Sequence, residues 1–425
     1  MKLIVEGCNL RGSANIPGSK SHTIRAMAIA SLAAGESVIH QPLQSADTLA
    51  AFHAYKALGA QVQVDGNAWR VQGCGGQFAT PDTVIDTGNS GTTMNMVLGS
   101  TALLAQGLAV LTGDAQVRRR PSGPLAQSLN DLGATVRATR DNGCPPFVVA
   151  GRLRGGETTL AATSSQYLSS LLINSAVAPD DTAITLSVLH EAPYVHITLD
   201  WLAKQGVTVT HDDELTHFHV PGNQTYRPVN RRIPGDFSSA TFFLAAGALP
   251  DNEVLCRGLD MTDTQGDKAV VDYLRQMGAA VAVEEAGVHV AARRLTGIEI
   301  DLNATPDALP MMAVVGCFAH GETRLVNVAH ARDKETDRLT VMREELTKLG
   351  ADIVERPDGL VIREHGMHAG EVDGRGDHRV VMALAIAGTL LNGTTTIHGY
   401  EAVEITFPNF LEVLRGLGAN VRLAV

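Results

Sequence analysis

Positive charge and small hydroxyl residues meet at the predicted start of a helix near the beginning of the chain. Residues 16–25 (IPGSKSHTIR) place Lys20 and Arg25 where a Pro-Gly turn opens an Ala-rich helix. First-turn amides of a helix favour anions, and the two cations add to that preference. A nucleotide-binding P-loop has Gly directly before Lys-Ser, whereas Ser19 stands here. The segment therefore indicates a site for a small anion and disfavours a nucleotide.

Two further segments carry hydroxyl and amide groups into apolar helices. Residues 86–94 (DTGNSGTTM) precede one apolar run, and residues 163–167 (TSSQY) precede another. Small residues let a ligand approach the backbone closely, and the hydroxyls supply donors. A capped helix start explains much of the first pattern by itself. The second pattern suits a phosphate or a polyol.

Three consecutive arginines, Arg118, Arg119 and Arg120, stand before a proline turn in residues 111–125. A solvated loop can carry such a run. In an acidic protein the same run can clamp an anion, because a few cations suffice to make a local positive cleft. The residues alone leave both interpretations open.

Charge is densest in two segments of the second half. Residues 333–338 (DKETDR) place Lys334 and Arg338 four positions apart, which predicts one helical face with Glu335 beside it. An exposed helix with salt bridges is the alternative interpretation. Residues 377–379 (DHR) stand at the head of the uncharged run 380–388. Charge at the start of so apolar a helix favours a ligand site there.

Composition excludes several classes of function. The formal charge of −11 argues against a nucleic-acid-binding protein, which needs a net basic face. We find neither a signal peptide nor an apolar run of about 18 residues for a membrane helix. The five cysteines are dispersed, without a C-x-x-C pair, as free thiols in a cytoplasmic protein are. No His/Cys spacing suggests a metal site, so we expect neither metal nor cofactor.

An internal repeat organises the whole chain. A helical run, a glycine and an alternating strand recur six times, with successive glycines 68 to 74 residues apart. These glycines are Gly59, Gly133, Gly206, Gly278, Gly350 and Gly418. A glycine in the left-handed conformation ends a helix, and a constant period of this length indicates a repeated folding unit. Each unit is predicted to hold two helices and a hairpin, in a mixed α/β fold.

Six repeats divide naturally into two domains of three. The crossover is predicted in residues 231–236 (RRIPGD), between the third and fourth repeats. The first domain then comprises residues 16–230, and the second comprises 1–15 together with 231–425. We expect one helix of each repeat to lie centrally in its domain, with the sheets outside.

These segments together resemble the EPSP synthase family, the 3-phosphoshikimate 1-carboxyvinyltransferases. The matching motifs occur in family order: PGSKS with Arg25, GNSGTT at 88–93, Arg120-Pro121, SSQ at 164–166, GD and SSA at 235–240, KETDR at 334–338, DHR at 377–379 and TFPNF at 406–410. The resemblance implies a two-domain inside-out α/β barrel, each domain built from three βαβαββ-type units. It also implies a monomer with the active site in the cleft between the domains.

The resemblance further implies an enzyme that moves the enolpyruvyl group of phosphoenolpyruvate (PEP) to the 5-hydroxyl of shikimate 3-phosphate. Phosphate leaves after a tetrahedral ketal intermediate. Expected catalytic residues are Lys20, Asp307 and Glu335. Expected PEP-binding residues are Lys20, Gly91, Arg120, Gln166, Arg338 and Arg379. Expected acceptor-binding residues are Ser21, Arg25, Ser164, Ser165, Gln166, Glu191, Tyr194, Asp307 and Lys334. No cofactor or metal is implied.

Three positions depart from the family pattern. Asn95 stands where the family usually has Arg, Glu191 where a Ser helps to bind the acceptor's phosphate, and Ile405 where many members have Lys. A carboxylate near a phosphate is repulsive, so a paralogue with a different, unphosphorylated cyclic alcohol is one alternative. A ligand-binding relative without catalysis is another. The related UDP-N-acetylglucosamine enolpyruvyl transferases carry a reactive Cys in the loop equivalent to residues 114–120, which has none here.

Overall fold

The chain forms two compact units, which a computed structural model describes for residues 1–424. The central unit is Gly18–Ile233, and the terminal unit combines Met1–Pro17 with the chain from Pro234 onward. Within the described residues, each unit has its own cluster of buried apolar side chains. Each unit is therefore a domain in the sense of possessing its own core.

The first two strands, β1 (Lys2–Glu6) and β2 (Arg11–Asn15), belong to the terminal unit. The central unit follows with α1 (Lys20–Leu32), β3 (Ala34–His40), α2 (Ala46–Ala57), β4 (Gln61–Asp65), β5 (Ala68–Cys74), β6 (Ile85–Asp86), α3 (Gly91–Thr101), β7 (Leu108–Thr112), α4 (Gly123–Asp131), β8 (Ala134–Ala138), β9 (Phe147–Gly151), β10 (Gly156–Ala162), α5 (Ser165–Ser175), β11 (Thr182–Leu189), α6 (Ala192–Lys204), β12 (Thr210–His211), β13 (His217–Val220) and β14 (Asn230–Arg232). A short 3-10 turn, Val117–Arg119, precedes α4.

The terminal unit resumes after Ile233. Its elements are α7 (Phe237–Ala248), β15 (Glu253–Arg257), α8 (Ala269–Met277), β16 (Ala280–Glu284), β17 (Gly287–Ala291), β18 (Glu299–Asp301), α9 (Leu309–Cys317), β19 (Glu322–Val326), α10 (Arg338–Lys348), β20 (Asp352–Arg356), β21 (Gly359–Arg363), β22 (Glu371–Asp373), α11 (His378–Thr389), β23 (Thr394–His398), α12 (Phe410–Gly416) and β24 (Asn420–Ala424). The 3-10 turns of this unit are Gly266–Lys268, Pro306–Ala308, Ala329–Asp333 and Tyr400–Ile405.

The strands form four-stranded sheets that share one pairing scheme. Each sheet has a parallel pair at one edge, followed by two antiparallel partners. The orders are β14-β3-β5-β4, β6-β7-β9-β8 and β10-β11-β13-β12 in the central unit, and β2-β15-β17-β16, β18-β19-β21-β20 and β22-β23-β1-β24 in the terminal unit. Parallel pairing needs a crossover helix and the antiparallel hairpin needs only a turn. The predicted βαβαββ repeat and fold class are thereby confirmed.

Three sheets contain strands from distant parts of the sequence, and one of these is β2, which pairs in parallel with β15 in the first repeat of the terminal unit. In the first repeat of the central unit, β14 pairs with β3 in parallel, with Asn230 opposite Val38. In the last repeat of the terminal unit, β1 lies between β23 and β24, so that Leu3 faces both Ile397 and Leu423. The central unit is completed by β14, where the chain returns to the first repeat. The terminal unit is completed by the N-terminal strands β1 and β2.

The first helix of each repeat is the buried one. Helices α1, α3 and α5 are buried along nearly their whole length in the central unit, as are α7, α9 and α11 in the terminal unit. Helix α7 (FSSATFFLAAGA) has all of its residues buried and none of them charged. The second helices are amphipathic; α8, for example, buries Val270, Val271, Leu274 and Met277 on one face.

The six repeat glycines all lie in the left-handed region, as predicted, with φ between 82° and 108°. Each directly follows a second helix of its repeat or that helix's last turn. A residue with a Cβ atom rarely adopts this conformation. The glycines therefore set the point at which each amphipathic helix ends and its hairpin begins.

Candidate functional site

The N-terminal ends of the buried helices carry most of the predicted site residues. Ser and Asp side chains cap five of these helices by accepting a backbone N–H of the first turn. The capping residues are Ser19, Ser90, Ser164, Asp236 and Asp377. A capped N-terminus keeps its remaining amides directed outward, where they favour an anion.

Lys20, the first residue of α1, is held by a carboxylate that sequence reasoning missed. Its Nζ lies 3.0 Å from Oδ2 of Asp47, whose side chain is buried at the start of α2. The other oxygen, Oδ1, has no hydrogen-bond partner among the described residues. The backbone carbonyl of Asp47 accepts from the Thr93 hydroxyl on α3 at 3.2 Å. Asp47 thus fixes the Lys20 ammonium and joins the starts of three helices.

Arg120 packs directly against Gly91, the first residue of α3. A Cβ atom placed on Gly91 would lie 2.8 Å from Nη1 of Arg120, closer than real Cβ contacts come. Arg120 follows the 3-10 turn Val117–Arg119, and Tyr167 of α5 donates its hydroxyl to the carbonyl of Pro121. The absence of a side chain at position 91 leaves the space that the guanidinium occupies. Of the predicted PEP ligands, these two are in contact.

Gln166 sits in a network that includes Asn95, one of the departures from the family pattern. The Asn95 amide donates to Gln166 Oε1 at 2.8 Å, and its own Oδ1 accepts from the Ser122 hydroxyl at 2.7 Å. Gln166 in turn donates to the Thr92 hydroxyl at 3.0 Å. Asn95, which replaces the arginine usual in the family, therefore orients the side-chain amide of Gln166 and connects it to the loop after Arg120.

Arg25 is 1% exposed and lies among polar partners of the central unit. Its guanidinium donates to the hydroxyls of Thr198 and Ser169 at 2.8 and 3.1 Å. It also donates to the backbone carbonyls of Ser21 and Tyr194, both at 3.1 Å. Burial lowers the pKa of Arg25 to about 10, although its interactions with Tyr194 and Glu191 raise that pKa in part. Arg25 remains charged at neutral pH and joins the starts of α1, α5 and α6.

Ser164 and Ser165 open helix α5. The Ser164 hydroxyl caps the helix by accepting a hydrogen bond from the backbone N–H of Gln166 at 3.4 Å. Ser165 is turned toward Glu191, whose Oε2 accepts its hydroxyl at 2.8 Å and its backbone N–H at 3.4 Å. Tyr194 lies in the first turn of α6 and is half-buried. All of the predicted acceptor-binding residues that precede position 200 are thus at the starts of α1, α5 and α6.

A second cluster of predicted residues lies in the terminal unit and centres on Arg338. Its guanidinium lies 2.7 Å from Asp307, 2.6 Å from Glu335 and 2.8 Å from Asp377. Arg379 adds an ion pair with the other oxygen of Asp307 at 2.8 Å. Arg338 is 1% exposed, whereas the side chains of Asp307 and Glu335 are 21% and 11% exposed. Both predicted acid–base carboxylates are therefore oriented by arginine and still accessible.

The electrostatics of this cluster favour charged side chains. Burial lowers the pKa of Arg338, but the carboxylates of Asp377, Glu335 and Asp307 outweigh it and raise that pKa well above the ordinary value. Asp377 also caps α11 through the Arg379 backbone N–H at 2.9 Å. Asp377 belongs to a motif seen in the sequence but was not assigned to the site. Its role as a partner of Arg338 follows only from the fold.

One local prediction is wrong. Lys334 and Arg338 do not share a helical face, because α10 begins at Arg338 and Lys334 has extended backbone angles before it. Asp337 caps α10 by accepting from the Thr340 N–H at 3.1 Å, so the helix cannot extend back to Lys334. Glu335 reaches Arg338 from this non-helical segment. Lys334 is half-buried directly before it.

The described part of the chain, residues 1–424, contains no helix long and apolar enough to span a membrane. In the same residues, no group of three or more His, Cys, Asp or Glu side chains is placed to hold a metal ion. Whatever ligand these clusters bind, the donors offered are ammonium, guanidinium, amide and hydroxyl groups. Such donors recognise carboxylate and phosphate oxygens.

Comparison with known proteins agrees with the resemblance seen in the motifs. Residues 4–414 match the family model for EPSP synthase (3-phosphoshikimate 1-carboxyvinyltransferase). A 3-phosphoshikimate 1-carboxyvinyltransferase of Acetivibrio thermocellus is 51% identical over 99% of both chains, and one of Halobacterium salinarum is 46% identical over 99% of both. A solved EPSP synthase of Acinetobacter baumannii superposes with a TM-score of 0.83 at 27% identity, covering 99% of this chain and 100% of that one. The chain belongs to the EPSP synthase family.

Proposed function

We propose that the protein transfers the enolpyruvyl group of PEP to the 5-hydroxyl of shikimate 3-phosphate and releases phosphate. The observation that carries the proposal is the terminal-unit cluster, in which Asp307 and Glu335 are oriented by Arg338 while remaining accessible. Two arginines and two carboxylates in contact supply both anion binding and proton transfer. The names of the relatives supply the identity of the acceptor.

PEP carries a carboxylate and a phosphate, and the cations match that distribution. We assign Arg338 and Arg379, which already hold the Asp307 carboxylate between them, to one anionic group of PEP. Lys20, Arg120 and Gln166 of the central unit are assigned to the other. Planar guanidinium groups bind carboxylates and phosphates in a bidentate manner, so Arg is better suited than Lys at the first position. Both units then supply residues to one reaction.

The acceptor is assigned to the starts of α1, α5 and α6. Arg25 and Ser21 supply cation and hydroxyl at α1, and Ser164 and Ser165 supply donors at α5. Tyr194 lies beside them on α6. Lys334 and Asp307 are the terminal unit's contributions to the same ligand. A phosphorylated polyol needs this combination of hydroxyls and cations.

The chemistry requires two proton movements. The acceptor hydroxyl forms a bond to carbon 2 of PEP and loses its proton, while carbon 3 gains a proton to become a methyl group. The resulting tetrahedral ketal then loses phosphate as its carbon–oxygen bond breaks, and the methyl group returns a proton to restore the double bond. Asp307 and Glu335 serve as acid and base, and Lys20 stabilises the charge that develops, steps worth about 10² to 10⁴ in rate each.

The two alternatives are less well supported. A transferase for an unphosphorylated alcohol draws on Glu191, yet relatives that are 43% to 51% identical over nearly the whole chain bear one activity name. A ligand-binding relative without catalysis has no need of accessible carboxylates on Arg338, and Lys20, Asp307 and Glu335 are all present.

The decisive experiment is phosphate release from PEP by the purified protein, measured with shikimate 3-phosphate, with shikimate, and without acceptor. We expect release that depends on shikimate 3-phosphate and that falls by about 10² or more in Asp307→Asn and Glu335→Gln. Release with shikimate alone would replace the proposed acceptor by the unphosphorylated one. No release with either, from protein that binds PEP in calorimetry, would favour the non-catalytic alternative.

We also propose that the protein acts as a monomer in the cytoplasm. The five cysteines are free thiols rather than disulfides, which suits a reducing compartment. Light scattering on the eluting chromatographic peak measures the molar mass, and a value near 44.9 kDa supports the monomer. A mass of twice that value would replace it by a dimer.

A further inference from the structure

Glu191 is a buried carboxylate that serves a neighbouring helix. It precedes α6 but makes no capping hydrogen bond to that helix. Its side chain instead reaches the first turn of α5, where Oε2 lies 2.8 Å from the Ser165 hydroxyl and 3.4 Å from the Ser165 backbone nitrogen. The residue is 3% exposed. A buried charge requires such donors, because burial without them is strongly unfavourable.

The backbone of Glu191 has an uncommon conformation. Its φ of 60° and ψ of 39° lie in the left-handed region, which residues other than Gly, Asn and Asp rarely adopt. Pro193 follows in the first turn of α6, and the Tyr194 N–H donates to the Glu191 carbonyl at 3.0 Å. This conformation directs the carboxylate away from its own helix. The fold therefore holds an anion at the start of α5.

The donors that Glu191 uses are those that an external anion would use. The Ser165 N–H and hydroxyl lie at the N-terminus of a buried helix, where the helix dipole favours negative charge. Arg25 adds a buried cation to the same helix, because its guanidinium donates to the Ser169 hydroxyl one turn after Ser165 at 3.1 Å. Under the proposed function, Ser164 and Ser165 meet the acceptor. The carboxylate and the acceptor's anionic group consequently compete for the same donors.

We propose that Glu191 sets acceptor specificity as an internal competitor, which the phosphate of the acceptor must displace from Ser165. This inference rests on the proposed function. It gives Glu191 the role of weakening the binding of an acceptor that carries a phosphate. Two anions cannot share the donors of one serine without repulsion. An acceptor without a phosphate has no such group to place there and meets no such competition.

The test compares Glu191→Gln with wild type in calorimetric binding of shikimate 3-phosphate and of shikimate, without PEP. Gln keeps the shape and can still accept from Ser165, but it removes the charge. We expect Kd for shikimate 3-phosphate to fall by about five- to tenfold, from the repulsion of two charges about 4 Å apart in a solvated site. Kd for shikimate should stay within about twofold. Glu157→Gln, an exposed residue of β10 in the same unit, controls for net charge.

Two results would overturn the proposal. Unchanged or weaker binding of shikimate 3-phosphate by Glu191→Gln would show that the carboxylate helps the acceptor or is irrelevant to it. An equal gain for shikimate would show that the phosphate is not what competes. Glu191→Ala, which frees the Ser165 donors entirely, must shift Kd in the same direction as Gln, and circular dichroism of each variant verifies folding. Because binding is measured without turnover, a failure of the proposed reaction remains distinguishable.

Discussion

Asn95 has a structural role that its position in the sequence does not indicate. In the sequence it marks a missing cation, because the family usually has Arg there. In the fold its amide bridges Gln166 and Ser122, at 2.8 and 2.7 Å, and its backbone carbonyl accepts from Ser170 at 2.7 Å. The side chain thus positions Gln166, a proposed ligand of PEP, and supplies no charge of its own.

The variant Asn95→Ala tests this positioning role. Loss of one neutral hydrogen bond is worth about 0.5–1.5 kcal/mol, so we expect the KM for PEP to rise about two- to tenfold. The acceptor's KM should change less, because most of its proposed ligands, including Arg25 and Ser165, are outside this network. Steady-state kinetics of Asn95→Ala, Ser122→Ala and the double variant give the coupling. Strictly additive effects would argue against a shared network.

Gly91 provides a second residue-scale prediction. Its missing side chain leaves room for Arg120, so Gly91→Ala must push Nη1 from a position 2.8 Å from the new methyl group. We expect the KM for PEP to rise by about tenfold or more, comparable to losing a hydrogen bond to a charged group. Gly416→Ala is the control, because no atom lies within 4 Å of its new Cβ. An equal KM for PEP in the two variants would show that the space at Gly91 is not needed for PEP binding.

At the residue scale, the sequence predicts motif members and misses their partners. Lys20 stands in a recognisable motif, whereas Asp47 is an acid in the first turn of an unremarkable helix, where capping alone explains it. Asp377 was visible in its motif, but its contact with Arg338 joins residues 39 positions apart. Such contacts depend on how helices of different repeats pack, which local sequence does not encode.

The start of α10, together with the segment before it that carries Glu335, is anchored by a network of charged side chains. Arg332 lies 2.7 Å from Asp337 and 2.8 Å from Glu355, and Glu355 also accepts from Thr340 at 2.9 Å. Arg343 adds a contact to Glu355 at 3.1 Å. Burial raises the pKa of Glu355, but these donors outweigh it and lower the pKa overall. The start of α10 is therefore tied to strand β20.

This network predicts a pH dependence of stability. Because the folded-state pKa of Glu355 is below its ordinary value of about 4.3, its contribution is present above that pH and disappears as pH falls through the folded pKa. We expect the free energy of unfolding of Glu355→Gln to be lower at neutral pH and to fall less than that of wild type below pH about 4.5. Urea titrations at several pH values measure both. Parallel curves would show that Glu355 does not cause the difference; Glu412→Gln, at an exposed position of α12, is the control.

The repeat glycines allow a matched test at the end of α12. Gly418 has φ of 94°, and the nearest atom to a Cβ added there would be the Asn9 carbonyl oxygen at 3.7 Å, so Gly418→Ala is strained through its backbone rather than by contact. We expect a loss of about 1–2 kcal/mol in unfolding free energy. Gly416→Ala, two residues earlier within the helix, should be neutral or stabilising by up to about 1 kcal/mol. Similar values for both variants would contradict the predicted left-handed requirement.

Element boundaries followed from the sequence where one residue decides them. The glycine that ends each second helix was visible, and so were the hairpins after it. The segment before α10 was predicted wrongly, because spacing alone cannot show that Asp337 caps the helix and leaves Lys334 outside it. The partners of the closing strands were not predicted: residues 1–15 were assigned to the second domain without a partner strand, and nothing in the three residues of β14 indicates a partner near position 38.

At the scale of the molecule, the separate cores predict separate folding. The central unit contains every strand of its sheets within Gly18–Ile233. A fragment of residues 18–233 should therefore unfold cooperatively in urea, as followed by circular dichroism. It should release no phosphate from PEP, because Asp307 and Glu335 are absent. A fragment that ends at Pro228 loses β14 and exposes the edge of β3, so its midpoint should be lower; an equal midpoint would deny β14 a structural role.

The position of β1 constrains the order in which the protein matures on the ribosome. Its partners are Thr394–His398 and Asn420–Ala424, which are synthesised long after it. Leu3 and Val5 of β1, whose side chains end up buried, must therefore wait for strands that are made much later. Residues 18–233 can mature before that point, whereas the terminal unit is completed only once β23 and β24 have been made. Newly made chains thus spend the interval between these syntheses with β1 unpaired and its apolar side chains uncovered, a surface of the kind that chaperones at the ribosome shield.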